Sequence, residues 1–168
     1  MVSLTERHLL RLFLKKAIII GDSISFIKQC LSLKELVIYP SSECDNEFDY
    51  SPLYDLPELT YLDCRTEYDL KKDHSTTIDY SRIHGIQELT ICGKGHLNYQ
   101  SIPTLQKLHL TDQRNLDLTT FNLPNLKKLS ITQSSLSSLD GIEDMTQLQI
   151  LSLSYMRNLL SISHLQYI

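Results

Sequence analysis

The 168-residue chain is predicted to fold as one β-rich α/β solenoid, a prediction that rests on three observations. The pattern L-x-x-L-x-L, with Ile or Cys at some positions, recurs six times. Its copies are Leu33–Leu36–Ile38, Leu59–Leu62–Cys64, Ile86–Leu89–Ile91, Leu105–Leu108–Leu110, Leu126–Leu129–Ile131 and Leu148–Leu151–Leu153. Second, the chain holds 31 leucines and 16 isoleucines but one alanine (Ala17), two valines and five glycines. That composition excludes intrinsic disorder and argues against alanine-rich helices and glycine-rich phosphate loops. Third, Cys30, Cys44, Cys64 and Cys92 form no C-x-x-C pair, which argues against a zinc ribbon and a disulfide scaffold. Free thiols in a reducing cytoplasm are expected instead.

From the N-terminus, Ser3-x-x-Glu6 reads as a capping box, and residues 4–12 as a short helix covering a first strand near Ala17–Ile20. Charged residues interrupt this region, so it is no signal peptide, and no stretch approaches the roughly 20 apolar residues of a membrane span. The repeats start 26, 27, 19, 21 and 22 residues apart, each preceded three positions earlier by an apolar residue: Cys30, Leu56, Ile83, Ile102, Leu123 or Met145. Leu56-Pro57-Glu58-Leu59, Ile102-Pro103-Thr104-Leu105 and Leu123-Pro124-Asn125-Leu126 share a proline just before the strand, where its missing N–H costs no ladder hydrogen bond. In each strand, positions 4 and 6 point inward with position 1, and positions 3, 5 and 7 point outward. Successive strands then pair at about 4.8 Å into a parallel sheet, and stability comes from stacking. Asp49-Tyr50-Ser51 and Asp79-Tyr80-Ser81, each followed by an E-L-T triplet, form an echo that would shift this register by three; the proline pattern favours Leu59 as position 1. Residues 165–168 begin an incomplete further repeat, which leaves an open apolar end. Truncation, end-to-end self-association and capping by a partner all remain open at this point.

These motifs resemble the leucine-rich repeat family over residues 14–168, with short, bacterial-like units of about 19–27 residues. The turn asparagine usual in the family is replaced by Gln113, Ser134 and Met156. The resemblance implies a single domain (cap 1–13, repeats 14–164, residues 165–168 starting another). It further implies a curved parallel sheet on the concave face, with irregular or short helical turns on the convex face.

The outward positions nominate a partner-binding face of Glu35, Tyr39, Tyr61, Asp63, Arg65, Glu88, Lys107, His109 and Lys128, with Tyr39, Tyr61, Asp63 and Arg65 foremost. Glu35 to Asp63 contains eight acids and no Lys or Arg, although the chain carries only −4 overall. The insert 41–52, with Glu43, Asp45, Glu47, Phe48, Asp49 and Tyr50, therefore reads either as a solvated loop or as an acidic surface with apolar anchors for a basic partner. A second insert, 66–82, adds Tyr68, Lys71, Lys72, Asp73, His74 and Tyr80.

No catalytic motif is present: the Gly93-Lys94-Gly95 stretch lacks a phosphate-loop frame, and no H-E-x-x-H or G-x-S-x-G occurs. Cys92 and His109 fall on adjacent strands with a two-residue stagger, too far apart for a nucleophile and its base. No metal, cofactor, nucleic acid or membrane is expected. The sequence thus points to a non-enzymatic, cytoplasmic protein-binding module, inhibitor- or immunity-like toward a basic partner. The alternative is the recognition segment of a larger effector or enzyme.

Overall fold

The computed structural model describes residues 14–40, 48–65, 77–93 and 95–159. Seven strands form one parallel sheet: β1 (Lys16–Gly21), β2 (Glu35–Pro40), β3 (Tyr61–Arg65), β5 (Glu88–Cys92), β7 (Lys107–Thr111), β8 (Lys128–Thr132) and β9 (Ile150–Ser154), adjacent in that order. The short strands β4 (Ile78–Asp79) and β6 (His96–Leu97) pair separately, also in parallel. Along the described residues long strands alternate with coil that carries 3₁₀ turns, so each apolar layer is closed by its neighbours.

The register follows the leucine pattern. Leu36, Leu62 and Leu89 are direct partners across β2, β3 and β5, and Leu108, Leu129 and Leu151 continue the row through β7, β8 and β9. Ile38, Cys64, Ile91, Leu110, Ile131 and Leu153 form the second inward row. Leu33, Leu59, Ile86, Leu105 and Leu126, at position 1, are fully buried. The same alignment adds a seventh copy, because Lys16 pairs with Glu35: Ala17 stands beside Leu36 and Ile19 beside Ile38.

The three-residue echo has a structural cause. Asp49 accepts the Ser51 N–H and hydroxyl, Asp79 those of Ser81, and Asp117 those of Thr119. Each carboxylate thereby starts a 3₁₀ turn (Ser51–Asp55, Tyr80–Arg82, Leu118–Thr120), and the residue between donor and acceptor (Tyr50, Tyr80, Leu118) points into the core. The echo marks the coil turn, not the strand. Tyr80 precedes its position 1 by six residues and Tyr50 by nine, which is the discrepancy of three.

Among the described residues the coil side is built from 3₁₀ turns, with no α-helix. The expected helix over 4–12 and the start of a further repeat at 165–168 lie outside the described residues, as does most of the second insert. The turns after the later strands need no asparagine. Buried Gln113 donates through Nε2 to the carbonyls of Gly93 and Thr111, and its own N–H donates to Ser134 Oγ. Ser134 Oγ in turn donates to Thr132 O. Gln and Ser thus satisfy the buried turn backbone from coil to coil.

Candidate functional site

The outward side chains of seven strands stand in three rows. The first reads Lys16, Glu35, Tyr61, Glu88, Lys107, Lys128 and Ile150; the second Ile18, Val37, Asp63, Thr90, His109, Ser130 and Ser152. The third holds Ile20, Tyr39, Arg65, Cys92, Thr111, Thr132 and Ser154, with Tyr39 and Arg65 following their strands in step. The parallel register brings Glu35, Tyr39, Tyr61, Asp63, Arg65, Glu88, Lys107, His109 and Lys128 onto one surface.

Charges on this surface are matched internally. Lys16 Nζ lies 2.8 Å from Glu35, Lys107 Nζ 2.6 Å from Glu88, and Arg65 donates through Nε and Nη2 to both oxygens of Asp63 at 3.1 and 3.0 Å. The Arg65 guanidinium also stands 5.3 Å from the centre of the Tyr39 ring. Asp63 is only 4% exposed, so it acts on the surface through Arg65, whose pKa its hydrogen bonds raise. The expectation that Asp63 itself faces a partner is corrected on that ground: its two oxygens are occupied and covered.

The described acids of the run find partners within the chain. Besides Glu35 and Asp63, Asp55 pairs with Lys28 and Glu58 lies within 3.9 Å of both Lys15 and Lys34. Asp49 caps its turn, and its carboxyl is held below the usual range by the Ser51 N–H and hydroxyl. Cations of the preceding coil thus sit beside the acids, although sequence separates them. Glu43, Asp45 and Glu47 lie outside the described residues.

Phe48 and Tyr50 do not offer the expected apolar anchors: both are buried, their rings 4.7 Å apart. The long coil before β3 needs large side chains to fill it, and the Asp49 turn drives Tyr50 inward, where burial raises its hydroxyl pKa. Cys64, also buried, has its thiol pushed up to about 12, chiefly by burial, which removes it as a nucleophile at neutral pH.

Sequence reasoning passed over the exposed part of β1. Ile18 is 62% and Ile20 78% exposed on the same surface, beside Val37 and Tyr39. An isoleucine run reads as core, and only the alternation set by register separates Ile18 and Ile20 from buried Ile19.

Thr90, not Cys92, is the register partner of His109, so the register does not bring Cys92 and His109 together. Burial lowers the His109 pKa, against Asp63, which raises it. A different histidine is more constrained: Tyr80 donates its hydroxyl to His96 Nδ1 at 2.9 Å, and His96 Nε2–H donates to Cys92 O at 3.2 Å. The bond from Tyr80 needs the neutral ring, with Nδ1 free of a proton, and burial brings the His96 pKa down to about 4 against the Cys92 carbonyl, which raises it. Among the described residues no group of three or more His, Cys, Asp or Glu could hold a metal ion, and no helix is long and apolar enough to cross a membrane.

No family model matches the chain, and neither does any curated protein. Among solved structures, internalin C2 of Listeria monocytogenes, a leucine-rich repeat protein, is similar with a TM-score of 0.57 at 22% identity. The match covers 86% of this chain and 62% of that one, so this chain spans less than two thirds of its neighbour. With the six in-register copies, that likeness identifies the architecture: the chain has the leucine-rich repeat fold.

Proposed function

We propose that the chain is a non-enzymatic protein-binding module that docks a partner on the outward, concave face of its seven-stranded sheet. The observation that carries this reading is the pairing of exposed Ile18 and Ile20 with a surface whose acids are already neutralised in place. Apolar area there is available for burial, while the paired charges need no counterion from the partner. Tyr39 and Tyr61 add large, rigid contact area beside it. The leucine-rich repeat fold shared with internalin C2 supports protein binding in general.

The narrower inhibitor-like reading, with a basic partner, rests on Glu43, Asp45 and Glu47 alone, because the other acids of the run are engaged within the chain. The reducing, cytoplasmic setting is proposed on the cysteine spacing in the sequence alone. A photo-crosslinking residue at Tyr39, compared with one at exposed Asn122 on the coil side, tests the face in the native source. Adducts with a defined protein from position 39 and none from position 122 are expected. Adducts from position 122 alone would overturn the assignment of the face.

A further inference from the structure

The charge pairing on the sheet face is incomplete at one end. Lys16 is matched by Glu35, Arg65 by Asp63 and Lys107 by Glu88. Lys128 has no carboxylate on its own strand or on β9, and its register neighbours are Lys107 and Ile150. Two lysines directly opposite each other on adjacent strands repel, and the Lys107–Glu88 pair relieves one of them only. In the next row stand two hydroxyls, Ser130 on its own strand and Ser152 on β9. Five strand steps away, Ile18 and Ile20 are exposed.

We propose that the partner presents an extended segment that sets an acidic side chain on Lys128 and an apolar or aromatic side chain on Ile18 and Ile20. This rests on the face being the docking surface proposed above, and it reverses the charge expected from the acidic run. The carboxylate would be the fourth on the face, completing the pattern in which each cation has a counterion, and hydroxyls would satisfy its remaining lone pairs. Five steps of about 4.8 Å give roughly 24 Å, a span that about seven extended residues cover at about 3.3 Å each. A polyanion is disfavoured: the face carries Glu35, Asp63 and Glu88, and the single lysine unmatched among the described residues gives little counterion release. His109, one row over, has its pKa lowered by burial and so adds a neutral N–H donor rather than a second charge at pH 7.

The test is panning of a displayed library of linear 12-residue peptides on the immobilised full chain, followed by binding of individual peptides to wild type, Lys128→Glu and Ile20→Asp. Both positions are exposed, so both variants keep the core. The expected peptides carry Asp or Glu about six to eight residues from an aliphatic or aromatic residue, and lose at least tenfold in affinity to either variant. Peptides rich in Lys or Arg, or neutral ones, that lose affinity to Ile20→Asp but not to Lys128→Glu would overturn this inference and leave the docking face standing. Peptides indifferent to both variants would overturn both readings. No enrichment of linear peptides would overturn the extended segment, while the crosslinking test above still decides the face.

Discussion

The two halves of the solenoid differ in how much room their coils leave. Repeats starting at Leu33 and Leu59 are 26 and 27 residues long, and their spare volume is taken by aromatics: Phe48, Tyr50 and Tyr80 are buried there. These rings are tied by side-chain bonds, Tyr80 to His96 and Tyr54 Oη accepting the Asp79 N–H, with Arg82 stacked 3.9 Å over the Tyr54 ring. Repeats starting at Ile86, Leu105 and Leu126 have 19 to 22 residues; the first two bury one ring each, Tyr99 and Phe121, set edge to face at 5.9 Å, and the third buries none. Gly141 shows how little room the third leaves: a Cβ there would lie 2.6 Å from Leu118 C and from Thr119 N and Cα. Extra length in a repeat is therefore filled by large side chains, whereas the short coil at Gly141 has no room for an added atom.

The largest expected effect is in the short half. Leu129→Ala removes a fully buried side chain between rigid neighbours and should cost about 2–5 kcal/mol in chemical denaturation. A loss below about 1 kcal/mol would break the register on which the comparison stands. Next comes the paired glycine test. Gly141→Ala combines a left-handed φ of 92° with a clash against backbone, and should cost roughly 3 kcal/mol or more. Gly85→Ala, in a long repeat, has φ 84° but only Leu59 O at 3.8 Å, so roughly 1 kcal/mol is expected. Equal losses would erase the distinction between tight and roomy coils.

Third, the seam between the two halves, where Tyr80 of the last long repeat meets His96 of the first short one, should be acid-sensitive. The folded His96 pKa of about 4 lies below the model-peptide value of 6.5, so its contribution is full above pH 6.5 and is lost as pH falls toward 4. The loss should reach roughly 2–3 kcal/mol, and His96→Gln should flatten that limb of the stability–pH curve. Asp49 and Asp79, whose pKa values are lowered mainly by the serines they cap, add losses at lower pH, below the usual carboxylate value of 3.8. A wild-type curve flat between pH 6.5 and 4 would sink the assignment. Smallest, Asp117→Ala should cost on the order of 1 kcal/mol by freeing the Thr119 N–H. No loss would mean that water replaces the cap without penalty.

What could be read in advance was set by periodicity. The leucine triplets dictate strand register, because a one-residue slip would turn every apolar side chain outward, and register in turn places Glu35, Tyr61, Glu88, Lys107 and Lys128 in a single row. Three features were not legible. The neutralisation of the acidic run depends on which residues of neighbouring coils meet, and Lys28–Asp55 or Lys34–Glu58 are pairs that only stacking creates. The burial of Phe48 and Tyr50 depends on the direction of a capped turn, not on composition. Exposure of Ile18 and Ile20 was hidden in a run of isoleucines whose alternation became visible through pairing with β2.

Each strand of the large sheet bonds only to the strands before and after it, and this arrangement governs how the molecule answers a mechanical load. Force applied between the chain ends would peel terminal layers first, because no strand from one end is clasped by the other. A freed 22-residue repeat lengthens the tether by about 75 Å at roughly 3.4 Å per residue. Stretching would therefore yield a staircase of short, repeat-sized extensions in place of one abrupt rupture.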